Sequence, residues 1–195
     1  MEKFSKRQKQ IIGASIELIS ENAIQSLTIK KIADKIKVTD GAIYRHFSSK
    51  NEILLGIIQS FKLNAEKTLK ESCASNSPAI AQIEEIFSKH FHYFTEKPAV
   101  TAVIFSESIF QNDTDLAKKV YNLLEIYEKA LSCIIERGQK NNEIRNCIRE
   151  KELVRVVIGS IRYTVAKWRL SSYSFDLKAE GALILNCLRE LLSVK

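Results

Sequence analysis

The stretch TIKKIADKIKVTDGAIYRHFSSK, residues 28–50, decides how this chain folds. It reads as two short helices joined by a tight turn. Thr28 stands where a hydroxyl caps the first helix, accepting from a backbone N–H that otherwise lacks a partner. Ile29, Ile32, Ala33 and Ile36 recur at helical spacing as one inward stripe, with Lys30, Lys31, Asp34 and Lys35 on the other side. Lys37-Val38 is the turn. Thr39 caps the second helix, and Asp40 puts a negative charge in its first turn, where the helix dipole favours one. Val38, Ile43 and Phe47 point back to the core, which leaves Thr39, Asp40, Gly41, Tyr44 and Arg45 outside. Gly41 weakens the helix but lets its backbone come close to a partner. Tyr44 offers a hydroxyl to phosphate and a ring to a thymine methyl or a sugar. Arg45 suits phosphate or guanine, and His46 and Lys50 flank the helix end as phosphate contacts. A helix carried this way on a basic surface has the geometry that enters the major groove of DNA. An amphipathic hairpin with a solvated basic face would show the same pattern.

Resemblance separates the two readings. The run LTIKKIADKIKVTDGAIYRHFSSKNEILL, Leu27 to Leu55, resembles the DNA-binding domain of the TetR (tetracycline repressor-like) family of bacterial regulators. The family pattern has a threonine-led helix with an internal Ile-Ala and a short turn ending in Val. A Ser/Thr-led recognition helix with Tyr, then Tyr or His, and Phe near its end follows, and a Lys three residues later. Order and spacing match throughout. The resemblance implies DNA contacts from Thr28, Thr39, Gly41, Tyr44, His46 and Lys50. Two family glycines are replaced, by Ala23 after the first helix and by Lys37 in the turn. A left-handed backbone at either costs a residue with a side chain about 1 kcal/mol, and Asn22 is an alternative place for the first.

Charge supports a polyanionic partner for the same region. Residues 1–50 hold ten Lys/Arg against five Asp/Glu, so five of the seven net positive charges fall there. The first helix, expected over Ser5–Glu21, begins among Lys3, Lys6, Arg7 and Lys9, which suit a phosphate strand or plain solubility. The chain opens on this amphipathic segment rather than an apolar leader, and its uncharged stretches, such as Pro98–Ser106, are far too short to span a bilayer. A cytoplasmic protein is expected. Cys73, Cys133, Cys147 and Cys187 are scattered with no CxxC pair, so no zinc site is expected, and reduced, buried thiols are the expectation. His90 and His92, two apart, fall on different helix faces and make a poor metal pair. No metal and no cofactor is expected.

Outward from the motif, 195 residues with two prolines, six glycines and 45% hydrophobic residues favour long helices. Ser49 and Glu52 form a capping box for a fourth helix that reaches towards Leu69 and links the two parts of the chain. Further helices are expected from Pro78 to about Phe94, from Pro98 to about Gln111, and over Thr114–Lys140, Arg149–Leu170 and Asp176–Leu192. No strand alternation or repeat is present. The expected architecture is all-α: a helix-turn-helix DNA-binding domain over 1–50, its motif at 28–47, joined by a long helix to a helical effector-binding and dimerisation domain over 51–195.

The last two helices carry apolar stripes wider than one neighbour needs, and Val157, Ile161, Leu183 and Leu188 are candidate dimer contacts. The resemblance implies a homodimer through a four-helix bundle. Two recognition helices about 34 Å apart would then read a palindromic operator in double-stranded DNA. An effector pocket inside the bundle has Phe91, Phe94, Phe105, Phe110, Tyr127, Tyr163 and Trp168 as candidate walls, although aromatic residues at helical spacing also serve simply as core. Arg162 and Lys167 would suit an acidic head group or neighbouring glutamates. The aromatic bias suggests a small, largely apolar or aromatic effector that releases a repressor from its operator. No GxSxG, HExxH or phosphate-binding glycine loop supports an enzyme. The rival reading is a DNA-bound structural or division-linked protein acting through protein partners.

Overall fold

A computed structural model of the chain describes residues 4–22, 24–105 and 113–194. Among the described residues nine α-helices follow one another. They are α1 (Lys6–Asn22), α2 (Ile29–Lys35), α3 (Asp40–Tyr44), α4 (Lys50–Cys73), α5 (Ala79–Glu96), α6 (Pro98–Ile104), α7 (Thr114–Lys140), α8 (Glu150–Leu170) and α9 (Leu177–Leu192). The fold is all-α, as expected, with one isolated bridge between Ile144 and Ser193. Helix bounds follow the sequence pattern closely: α7 spans the expected range, and α4 continues past Leu69 to Cys73. The continuation expected after α6 falls on 106–112, which lies outside the described residues, as do Lys3 and Ala23.

The helices pack as two compact units. The first comprises Met1–Lys62 with Lys97–Val120, the second Leu63–Glu96 with Tyr121–Lys195. The boundary expected at residue 50 therefore falls inside the first unit. The reason is apolar burial, since Ile53, Leu54, Ile57 and Ile58 of α4 are all at least 98% buried.

In the first unit α1 packs against α2 and α6, and α2 against α3. Ile11, Ile19, Leu27, Ile32, Ile43, Phe47 and Phe61 fill its core with the α4 residues. Gly56 is where α4 comes close to its neighbours: a Cβ there would stand 3.2 Å from both Ile12 and Phe47 side-chain atoms. The Ser49 hydroxyl accepts the Glu52 N–H at 3.2 Å, while the Glu52 carboxylate reaches one residue further back than the expected box and accepts the Ser48 N–H.

In the second unit α9 packs on α5 and on α8. Gly181 of α9 lies directly on the Phe91 ring of α5, so that an added Cβ would overlap it. Asp176 caps α9 by accepting from Lys178 and Ala179 N–H groups. Buried Gln82 donates to the Ser75 and Ser77 carbonyls at 2.7 and 3.0 Å and accepts from Arg137, tying the loop before α5 to α7.

Candidate nucleic-acid interface and effector-binding body

α2 and α3 are seven and five residues long, too short to hold shape alone. Their geometry comes from caps and burial. Thr28 Oγ1 accepts the Lys31 N–H at 3.3 Å, and Thr39 Oγ1 accepts the Ala42 N–H at 3.3 Å, both as expected. Between the helices Lys37 adopts φ 57°. This is the left-handed conformation that its replacement of glycine made a question. Ile43 and Phe47 are fully or nearly buried, and Phe47 N–H still bonds the Ile43 carbonyl at 3.0 Å beyond the end of α3.

Anchoring on that side leaves the other side free. Thr28, Thr39, Asp40, Gly41, Tyr44 and Arg45 are exposed, Tyr44 by 54%, and His46 is half-buried. A Cβ on Gly41 would meet only Thr39 Oγ1, at 3.9 Å. Packing within the chain therefore does not require glycine there, and the open space faces outward. Lys50 is placed differently from the other candidates. Its ammonium donates to the Ile24 carbonyl at 3.1 Å and the Gln25 carbonyl at 3.5 Å, and partial burial pulls its pKa below the ordinary lysine value. It clamps the turn that follows α1. Lys35 is likewise committed inside the unit, to Glu17 at 3.2 Å and Glu21 at 2.9 Å.

The candidate effector residues scatter. Phe91, Phe94 and Tyr127 are buried in the second unit, Phe105 is half-buried in the first, and Phe110 lies outside the described residues. Tyr163 is 69% exposed, on the outer face of α8. Trp168 is buried, but its indole N–H donates to the Phe175 carbonyl at 2.9 Å and its ring meets Tyr173 edge-on at 4.7 Å, so it fastens the α8–α9 connection.

The sequence pattern alone did not single out two members of the aromatic cluster. Phe87 and His90 complete a set with Phe94 and Tyr127, ring centroids 5.1–6.4 Å apart. The clue was their spacing, since Phe87, His90, Phe91 and Phe94 share one face of α5. The Tyr127 hydroxyl bonds His90 Nε2. Burial holds the His90 pKa down at about 4, against a smaller opposing effect of the Ile86 carbonyl, and burial pushes the Tyr127 phenol well above its ordinary value. Near neutral pH the ring is therefore uncharged, and the bond joins two neutral groups.

The candidate dimer residues also divide. Val157, Ile161 and Leu188 are buried within their own unit, which corrects their assignment to an outward stripe. The exposed apolar side chains are their neighbours: Val156, Tyr163 and Leu170 on α8, Leu183 and Leu191 on α9, and Val194 beyond it. The expectation of buried thiols is corrected too, because Cys133, Cys147 and Cys187 are exposed and only Cys73 is half-buried. Each of the three lies on an outward helix face or in the α7–α8 connection. Among the described residues no cluster of His, Cys, Asp and Glu could hold a metal, and no helix is long and apolar enough to cross a membrane.

The fold and this surface define a helix-turn-helix regulator. Comparison with known proteins agrees: residues 11–57 match the family described as bacterial regulatory proteins, tetR family, and residues 59–190 match the YsiA-like protein C-terminal region. The chain belongs to the TetR family and is a DNA-binding transcriptional regulator, not an enzyme. It is 26% identical over 179 residues to the fatty acid metabolism regulator protein of Bacillus subtilis, covering 92% of each chain. The crystal structure of the transcriptional regulator FadR from Bacillus subtilis in complex with stearoyl-CoA superposes with TM-score 0.79 at 26% identity, over 94% of this chain and 98% of that one. The nucleoid occlusion factor SlmA of Actinobacillus pleuropneumoniae is 22% identical over 134 residues, 68% of this chain and 66% of that protein.

Proposed function

We propose that the chain is a repressor that binds a palindromic operator as a homodimer and is released by an effector carrying a long apolar chain, with a fatty acyl thioester as the class to test. The observation that carries the DNA-reading assignment is the outward face of α3, where Tyr44 and open Gly41 stand opposite buried Ile43 and Phe47. Thr28, Thr39, Asp40, Arg45 and His46 join Tyr44 as contacts to bases and phosphates, and Lys50 positions the motif from within. DNA binding resides in residues 1–50, and effector binding and dimerisation in 51–195.

The stearoyl-CoA complex of the 26%-identical FadR supports the effector class, as does the buried aromatic cluster Phe87, His90, Phe94 and Tyr127. The exposed apolar side chains of α8 and α9 support dimerisation, since covering them in a second copy removes a solvent-facing apolar stripe. The effector acts by binding more tightly to a state in which the two recognition helices no longer match groove spacing. α4, which begins at the Lys50 clamp and ends at Cys73 in the second unit, carries the change. The protein works in the cytoplasm, where the chromosome is.

The test is a gel shift on genomic fragments, repeated with stearoyl-CoA and with free CoA. Release by the acylated form alone is expected. Failure to bind any duplex at low ionic strength would overturn the DNA assignment. Complexes that stearoyl-CoA leaves intact would overturn the effector class.

A further inference from the structure

Lys37 joins α2 to α3 in a left-handed conformation, φ 57°. The local hydrogen bonds impose it. Val38 N–H donates to the Ala33 carbonyl at 3.0 Å and Lys37 N–H to the Asp34 carbonyl at 3.2 Å. This pair of bonds ends a helix through a single left-handed residue, a place where glycine fits without steric cost and a residue with a Cβ does not. A strained residue kept where glycine would serve points to a use for its side chain.

The other lysines along this segment show which charges are available. Lys35 is held by Glu17 and Glu21, and Lys50 by two backbone carbonyls. Lys37 is exposed, and among the described residues no ion pair engages its ammonium. It stands two residues before Thr39, the exposed cap of α3, on the connection that delivers Tyr44.

We propose that Lys37 is a further DNA-contacting residue, its ammonium binding a phosphate of the duplex backbone beside the groove that α3 enters. Such a contact fixes orientation and carries no sequence information, so Lys37 is a positioning residue. The assignment rests on α3 being the DNA-reading helix. A cation just past a helix C-terminus also interacts favourably with the helix dipole. That role would affect stability and leave DNA binding untouched.

The experiment measures affinity for sonicated mixed-sequence duplex DNA at several salt concentrations, alongside thermal unfolding, for K37Q, K37G and K37R. K37Q removes the charge and keeps the strain; K37G removes both. Both are expected to flatten the dependence of log affinity on log salt by about 0.9 for each phosphate no longer neutralised. The ratio of affinities at 50 and 200 mM salt then falls by about threefold for each such phosphate. K37R keeps the wild-type slope, and K37G unfolds no earlier than the wild type. Wild-type affinity and slope in K37Q would overturn the proposal, and so would weakened binding confined to K37G. Tyr44→Ala, measured beside them on a selected operator fragment, separates the two levels. If it binds normally, the α3 assignment itself is wrong; if binding fails in that variant alone, only Lys37 is misassigned.

Discussion

Replacing His90 by Gln should remove one acid-sensitive component of stability and leave an acceptor for the Tyr127 hydroxyl. His90 is 2% exposed within the second unit, and burial lowers its pKa from 6.5 to about 4. The folded state therefore resists a proton that the unfolded chain accepts readily. Above pH 6.5 both states are neutral and the buried ring costs nothing in protonation. As the pH falls below 6.5 the unfolded state gains protons first and stability declines, until below about 4 the folded state is protonated as well. The gap between the two values corresponds to about 3 kcal/mol, a large share of the stability of a typical domain. Urea unfolding of wild type and His90→Gln at intervals between pH 7.5 and 4 measures it. Carboxylates titrate alike in the two proteins, so they cancel in the difference. The variant should lose about 3 kcal/mol less than the wild type over this range. Parallel pH profiles would refute the reasoning and show a ring that reaches solvent or a counter-charge.

Tyr44→Ala should abolish specific operator binding while unfolding stays within about 0.5 kcal/mol of wild type, because the side chain is exposed. An unchanged operator affinity in a gel shift would remove the central contact. Gly181→Ala should lower stability by about 1–3 kcal/mol, because its methyl overlaps the Phe91 ring; calorimetry checks this, and an unchanged melting temperature would mean that α9 shifts freely on α5. Tyr163→Glu combined with Leu183→Glu should yield a folded monomer by light scattering, whereas Val157→Ala, deep in the core, should lower stability by about 2 kcal/mol and leave the dimer. A dimer that survives the double substitution would place the contact elsewhere.

The elements were legible where one local rule dominates. Thr28, Thr39 and Asp176 act as caps because a hydroxyl or carboxylate at a helix start has few better partners than the adjacent N–H groups. Periodicity gave α7 its full length, and Ile32, Ile43 and Phe47 their inward direction. The outward direction on α8 and α9 was not legible in the same way. Val156 and Val157 are adjacent and chemically identical, and which one faces solvent depends on how α8 is rotated against α9, a tertiary choice. The contacts of Lys50 were not legible for a related reason. Its sequence neighbours say only that it follows a motif; the carbonyls that hold it belong to Ile24 and Gln25, far back in the chain. Phe87 and His90 went unassigned because a histidine on an aromatic face looks like filler until Tyr127 of another helix meets it.

Precision at the α3 face rests on a division of labour among positive charges. A five-residue helix has no stability of its own, so the direction of Tyr44 is fixed by what holds the helix: the Thr39 cap, the buried Ile43 and Phe47, and the turn at Lys37. In the proposed DNA complex those parts must keep their places while α3 faces a polyanion, whose field pulls on every nearby cation. Lys35 and Lys50 resist that pull because their partners lie within the protein, two carboxylates for one and two carbonyls for the other. The exposed cations of the motif, Lys30, Lys31, Lys37 and Arg45, have no such partners among the described residues and remain available to phosphate. Counting all the lysines of residues 28–50 as DNA contacts therefore overstates the salt dependence of binding. The slope should follow the exposed set, and the held pair should show its importance in the stability of the first unit.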